Sequence, residues 1–432
     1  MPGRVLDDLH RADGDQTGLA ARSVVGTARL LVRAETAGDR PVKIAMIGQK
    51  GIPATYGGIE RHVEELSARL AQREHQVTAY CRRHYTPEGK SHRGVALKIL
   101  SSINTKHLDA ISHTARAVAD AVRRDFDVIH FHAIGPSALV FVPRLLCGKR
   151  CAVVMTIHAL DWRRRKWGWF ARWCLRRSAW TGVRFANRVI AVSQLITDYF
   201  NTHSKNVVHI PNGVDAARRE PLQELKRFGL SEKKYVLWLG RFVPEKRVEN
   251  IIAAFRKTPS DMKLLLAGEI DESNTYVQSL RSAAEDDERI IFSGGLYGSA
   301  KAEALSHAAM MVQASDLEGF PIVLLEAMRY GLPILASDIP EHLEVLDPGV
   351  TGFVFRTGDV ESLRKNLSWA MANRQEMVDT GRRAEREARR YDWEPITEQT
   401  EAVYREAVAS LPAYRKKTRI ATAKKLKKKK ND

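Results

Sequence analysis

Short apolar runs alternate with longer amphipathic stretches along most of this chain. Residues 42–47 (VKIAMI) are almost wholly apolar, they run into a glycine-bearing loop at 48–58, and helix-period spacing follows over 59–73. The unit recurs, with apolar runs at 76–81, 95–100, 127–132, 151–157, 188–193 and 207–210 and helical patterns over 107–124, 135–147 and 166–187. Brief apolar runs bounded by turn residues suit strands buried on both faces, so the alternation predicts parallel sheets with helices on either side. The polar, charged stretch 216–234 reads as a linker. Beyond it a second series starts, with strands expected at 235–239, 263–267, 289–292, 310–314 and 333–336, and a final helical pattern over 393–410.

The predicted architecture is α/β, two Rossmann-like doubly wound parallel-sheet domains at 41–215 and 235–392 facing across a cleft. Residues 1–40 complete no strand or helix pattern and are expected to form a weakly ordered extension, and 411–432 a basic, disordered tail. Doubly wound sheets bind ligands at the carboxyl ends of their strands, so a ligand shared by the domains belongs in the cleft.

Candidate chemistry concentrates at 315–337, SDLEGFPIVLLEAMRYGLPILAS. Gly319, Phe320 and Pro321 read as a tight turn feeding a helix over 321–330, with Ile322 in its first turn, an apolar stripe at Leu324, Ala327 and Met328, and a stop at Gly331. Glu318 precedes this helix and Glu326 lies about two turns inside it. A helix N-terminus suits a phosphate and flanking carboxylates suit hydroxyls, a pairing that fits a nucleotide sugar. Two solvated glutamates at incidental spacing are the alternative, and the other strand-end loops must decide. Those loops carry Gly57 and Gly58 at another helix start, His130 and His132, His158 after a strand, and Arg241 with Lys246 five positions on. A guanidinium fork and an ammonium at one strand-to-helix turn can both address a diphosphate.

In this order and context the motifs resemble those of the retaining glycosyltransferases of family 4. The matching pieces are Gly57-Gly58 into IERH, His158, PNGVD at 211–215, Gly240-Arg241 with Lys246, and Glu318-x7-Glu326 within EGFPIVLLEAM. The resemblance spans about 43–410 and implies the GT-B fold, with the helix at 393–410 crossing back to the first domain. It implies sugar transfer from a nucleotide-sugar donor to a hydroxyl acceptor (a glycan, a lipid-linked compound or a small polyol), as in the synthesis of cell-surface polysaccharides or glycoconjugates. By the same resemblance, Arg241, Lys246 and Gly58, beside Gly57, meet the donor diphosphate. Glu326 meets the ribose. Glu318, with the backbone of Gly319, Phe320, Pro321 and Ile322, meets the transferred sugar, and His158 lies beside its reacting face. The implied mechanism needs no metal and no cofactor beyond the donor.

Composition alters this picture at the margins. The net charge of +18 is about half local, because ten Lys and Arg residues between 415 and 430 are opposed only by Asp432. Attraction of that tail to anionic lipid or nucleic acid is unspecific, and no specific nucleic-acid partner is expected. Residues 162–180, WRRRKWGWFARWCLRRSAW, open on Trp162 and close on Trp180, and a helical wheel puts Trp167, Phe170, Trp173 and Cys174 on one face among arginines. That suits an anionic membrane surface as well as it suits an amphipathic helix packed on its own domain. Four cysteines without metal-ligand spacing read as free thiols. No signal peptide or membrane span is evident, so the expected location is cytoplasmic, with the inner face of the membrane as an alternative. Asp125 and Asp127 form a D-x-D that reads as a solvated strand entry. His130, His132 and His158 imitate a metal site but lack an evident carboxylate or cysteine. Two other functions stay open: a nucleotide-sugar 2-epimerase of the same architecture, and a basic nucleic-acid-binding protein led by the tail.

Overall fold

The structure is a computed structural model that describes residues 40–412 apart from 56, 87, 106, 107, 203 and 205. The expectations for 1–39 and for the lysine tail lie outside the described residues. The first sheet contains β1 (Lys43–Ile47), β2 (Gln76–Arg82), β3 (Ser91–His92), β4 (Val95–Leu100), β5 (Val128–His132), β6 (Ala152–Ile157), β7 (Arg188–Ala191) and β8 (Val207–His209). Its order is β3-β4-β2-β1-β5-β6-β7-β8, parallel except for the β3–β4 pair. Every residue of β5 and β6 is buried, which explains why β6 reads as a nearly continuous apolar run and why even His130 and His132, on one face of β5, are shielded from solvent. The helices that cover this sheet include α1 (Gly58–Gln72), α2 (Asp109–Ala121), α3 (Ile134–Ser137), α4 (Phe141–Leu146), α5 (Trp169–Phe185) and α6 (Gln194–Asn201).

The second sheet is built from β9 (Tyr235–Leu239), β10 (Lys263–Ala267), β11 (Ile290–Gly294), β12 (Met310–Gln313), β13 (Ile334–Ser337) and β14 (Phe353–Phe355), in the order β11-β10-β9-β12-β13-β14. Around it lie α7 (Val248–Arg256), α8 (Thr275–Ala284), α9 (Gly298–His307), α10 (Ile322–Arg329), α11 (Pro340–Leu343), α12 (Val360–Ala372) and α13 (Arg374–Glu387). The last helix, α14 (Trp393–Ala409), packs on the first sheet: Tyr404 and His130 share a buried 2.6 Å hydrogen bond, and Arg188 pairs with Glu406 at 2.7 Å. The chain passes between domains at Val214 and Asp392, which bridge side by side, with Val214 N–H donating to the Tyr391 carbonyl at 2.8 Å.

Several expectations shift. The supposed linker is half domain: Leu225 and Leu230 are buried, and the Glu303 carboxylate accepts the backbone N–H groups of Gln223, Glu224 and Leu225 at 2.7, 3.1 and 2.9 Å. Its charge made it look solvated, yet a buried acid organises it. The helix expected over 135–147 is two short ones, because Pro143 cannot donate to the turn before it and sits in the first turn of α4 instead. Leu411 is buried, so order extends past the predicted boundary at 410. The strand β14, three residues long, has no apolar run long enough to announce it.

Candidate functional site

Each sheet has one place where its strand order reverses, with β1 between β2 and β5, and β9 between β10 and β12. Loops leaving neighbouring strands part there, opening a crevice at the carboxyl ends. The loop after β1 ends in Gly57-Gly58, the loop after β9 carries Arg241 and Lys246, and the loop after β12 carries 315–321, so the candidate residues gather at the two reversal points.

Gly57 is the N-cap of α1 with φ of 103°, in the left-handed region, and a Cβ there would stand 2.2 Å from Glu60 Oε2. Neither α1 nor α10 has a side chain capping its N-terminus. The two first turns meet across the cleft, where a Cβ on Gly58 would lie 3.3 Å from Ile322 Cδ1. Two positive helix ends facing one another repel unless an anion lies between them. Arg241, in the loop after β9, adds a guanidinium partly shielded from solvent; that desolvation and then the neighbouring Arg164 depress its pKa, against the pull of Glu318, Glu245 and Glu60.

Lys246 closes a 3-10 turn, Pro244–Lys246, and its ammonium pairs with Glu318, which also accepts from Ser315 Oγ at 2.8 Å. Burial by itself would raise the Glu318 pKa, but Lys246, His342 and Ser315 hold it below the usual carboxylate value, so Glu318 is ionised. Glu326, the fifth residue of α10 and so little more than one turn inside it, is held by Lys301 of α9 at 2.5 Å. Phe320 is buried with its ring 6.0 Å from Tyr391, and buried Pro321 is the N-cap of α10. Gly319 touches the other domain: a Cβ there would stand 2.3 Å from the His158 carbonyl oxygen and 2.8 Å from Ala159 Cβ.

His158 lies just past β6, with Nε2 3.2 Å from His132 Nδ1 and its ring edge-on to His62 at 4.9 Å. The expected trio changes by one member. His130 and His132 do share a strand face, but His130 is occupied by Tyr404 and by Thr156 Oγ1 at 2.7 Å, and His62 of α1 takes its place. Ligand nitrogens of His62, His132 and His158 lie within 4.8 Å of one another, so among the described residues these are the ones that could hold a metal. Burial pushes His132 and His158 well below the ordinary value and His62 to about 4, so all three stand as neutral imidazoles. Asp125 and Asp127 are at the far end of β5, on Lys43 Nζ at 3.0 Å and Arg40 at 2.8 Å.

The tryptophan-rich stretch is not one helix. Gly168 is the N-cap of α5, so Trp167 precedes the helix and does not share the face of Phe170, Trp173 and Cys174; the exposed aromatics are Trp169 (82%), Phe170 (60%) and Trp173 (55%). The segment before them crosses to the second domain. Arg165 N–H donates to Glu245 Oε1 at 3.2 Å and its guanidinium to Asp316 at 3.0 Å. Sequence reading missed this contact, although Gly168 was the signal that the helix starts late. Among the described residues no helix is long and apolar enough to cross a membrane.

Comparison with known proteins follows the same division. The family described as "Glycosyltransferase Family 4" matches residues 56–218, and "Glycosyl transferases group 1" matches 223–387. A phosphatidyl-myo-inositol mannosyltransferase of Mycobacterium leprae (strain TN) is 30% identical over 379 residues, 82% of this chain and 94% of that one. The N-acetyl-alpha-D-glucosaminyl L-malate synthase of Bacillus anthracis is 28% identical over 297 residues, 66% and 76% of the two chains. Among solved structures, sucrose-phosphate synthase from Thermosynechococcus elongatus superposes with a TM-score of 0.74 at 20% identity, over 86% of this chain and all (100%) of that one. Anabaena HepE in complex with UDP-glucose gives 0.69 at 20% identity, with the same coverage of 86% and 100%.

Proposed function

Since this chain belongs to the group 1 glycosyltransferases and is a glycosyltransferase of GT-B fold, we propose that it takes its sugar from a nucleotide-sugar donor. The sugar passes, with retention of anomeric configuration, to a hydroxyl acceptor in the cleft. The observation that carries the reading is the meeting of two uncapped helix ends, at Gly58 and Ile322, beside Arg241 and Lys246. That is a place for a diphosphate, and carboxylates flank it.

Glu326 takes the ribose hydroxyls and Glu318, with the first amides of α10, the hydroxyls of the sugar. The bond from the anomeric carbon to the diphosphate oxygen breaks, and the electron pair stays with the leaving diphosphate. Arg241, Lys246 and the two helix ends receive that charge, which is electrostatic stabilisation at the place where charge develops. The acceptor oxygen bonds to the anomeric carbon on the same face, near His158, and its proton passes to the departing phosphate oxygen. Lys246 is held in the cleft by Glu318, so bound diphosphate competes with that carboxylate for the ammonium. The reading is independent of a divalent cation, and turnover should survive excess chelator.

The donor relation is supported by HepE, whose structure holds UDP-glucose. The acceptor is proposed to be membrane-associated: exposed Trp169, Phe170 and Trp173 on a helix with Arg172, Arg176 and Arg177 form an amphipathic face suited to anionic lipid. One experiment tests the core of the reading. Nucleotide sugars are screened by thermal shift, and turnover of the donor that stabilises the protein is compared with that of Arg241→Ala. A fall of about 100-fold or more is expected; wild-type turnover in the variant, or stabilisation by no nucleotide sugar, overturns it. Conversion of the donor to an epimer without any acceptor would favour the isomerase reading instead.

A further inference from the structure

Three buried histidines meet where the domains touch, and of these the proposed reaction calls only on His158. His132 closes β5, His158 follows β6 and His62 is the fifth residue of α1, so two neighbouring strand ends and one helix bring their rings together. His132 Nδ1 and His158 Nε2 are 3.2 Å apart, and the His62 ring centroid lies 4.9 Å from that of His158 and 5.8 Å from that of His132. One ligand nitrogen from each ring falls within 4.8 Å of the other two. His130 is excluded, because Tyr404 and Thr156 occupy both its nitrogens. The hydrogen bonding of the trio is incomplete: His62 Nδ1 and His132 Nε2 are buried without a partner. Buried polar atoms are satisfied in nearly every fold, so two orphans in one cluster point to a ligand.

Three imidazoles with a fourth position left open make the ligand set of a zinc-class site. At Zn–N distances of about 2.0–2.1 Å, tetrahedral ligands stand about 3.3 Å from one another. His132 and His158 already hold that spacing, at 3.2 Å. The other separations, none above 4.8 Å, need to close by about 1.5 Å at most, which a turn of the His62 ring about its soft χ2 supplies. Burial keeps all three rings neutral, so each has a lone pair to give and keeps its one proton on the nitrogen that does not bind. The group contains no carboxylate, so a hard, oxygen-seeking ion such as Mg2+ finds poor ligands here.

We propose that His62, His132 and His158 bind one zinc-class dication, and that the bound ion inhibits sugar transfer. A metal on His158 takes the imidazole lone pair nearest the reaction. It also sets two positive charges beside an anomeric carbon that becomes positive as its bond to the diphosphate breaks, so the transition state is opposed. The ion is a brake rather than a cofactor, in keeping with turnover that survives chelator. Binding depends on first-domain residues alone, whereas the inhibition rests on the donor and acceptor placement proposed above.

The test uses the full chain stripped of metal by chelator. By calorimetry, wild type should bind about one equivalent of Zn2+, and about 100-fold or more tightly than Mg2+; Zn2+ should also raise Tm. Co2+ as a second probe should give the strong visible absorption of a four-coordinate ion without the near-ultraviolet band of thiolate ligation, which separates the trio from the four free cysteines. His62→Gln should weaken Zn2+ binding about tenfold or more. Zn2+ that saturates the wild type should cut its turnover about tenfold or more, while His62→Gln at the same concentration keeps most of its own metal-free rate. Zn2+ binding no tighter than that of Mg2+, a thiolate band with Co2+, or equal Zn2+ binding by wild type and His62→Gln overturns the site, and the first two outcomes need no variant to fold. Binding that leaves turnover untouched overturns the brake and takes His158 away from the reacting face. Failure of every nucleotide sugar to bind removes the donor reading, while calorimetry and the Co2+ spectrum still decide the metal site.

Discussion

Replacing Gly319 with alanine isolates the closure of the cleft. The added Cβ would stand 2.3 Å from the His158 carbonyl oxygen, and the neighbour is backbone at the end of a buried strand, so it cannot swing aside. A carbon and a carbonyl oxygen in contact need about 3.3 Å, so the domains must part by about 1 Å at the point where donor and acceptor groups face each other. If the domains part about the crossing at Val214 and Asp392, neither core is disturbed, so the variant should unfold within roughly a degree or two of the wild type. Misplacement of about 1 Å at a reacting centre lowers turnover by about 100-fold. Donor affinity should change less than turnover, since Arg241, Lys246, Glu318 and Glu326 all sit on one domain and only the helix end at Gly58 is on the other. The assay is steady-state turnover beside calorimetric donor binding and thermal melting. Wild-type turnover would show that the contact between Gly319 and His158 has no part in catalysis, and a large fall in Tm would place the clash inside a domain.

Other outcomes follow from the same geometry. Glu326→Ala removes charged hydrogen bonds from the proposed ribose contact and leaves Lys301 unpaired, so nucleoside diphosphate affinity measured by calorimetry should fall about 10- to 100-fold with little change in Tm. Glu344 accepts from Gln194 N–H across the domain interface at 2.6 Å, yet burial raises its pKa to about 7. The folded protein therefore holds a proton there that the unfolded chain releases above its ordinary value of 4.5. Stability should fall as pH rises from about 4.5 to 7, and melting of Glu344→Gln over that range should show a shallower fall; an unchanged slope would discard the assignment. Replacing Trp169, Phe170 and Trp173 with serine should reduce pelleting with anionic vesicles and leave Tm unchanged; undiminished pelleting would remove α5 from the membrane contact.

The sheets were legible because β1, β6, β9 and β10 are apolar runs with no competing pattern, and the turn at Gly319 to Pro321 announces α10 because proline suits a helix start. Legibility failed where a partner distant in the chain decides the outcome. His130 and His132 do share a strand face, but nothing local shows that Tyr404, 274 residues on, engages one of them and that His62 completes the trio with the other. Residues 216–234 look solvated until Glu303 is seen beneath them. The expected helix began at 166, whereas it starts at Trp169, and contacts of Arg165 with Glu245 and Asp316 in the second domain hold the segment before it.

The return of α14 to the first sheet has a consequence for how the chain is made. Trp393, Ile396, Val403 and Tyr404 lie in one core with Ile44, Met46, Val63 and Leu66, so the first domain is discontinuous and the second is an insertion within it. Domains made from a ribosome generally fold from the N-terminus onward. Here the inserted domain, whose strands all lie between 235 and 355, can finish while the earlier one still lacks a wall. The first domain must wait for residues 393–411, with the apolar face of β1 and β5 open to chaperones until then. A chimera that exchanges acceptor-side domains between relatives therefore has to move the 393–411 segment together with the first half.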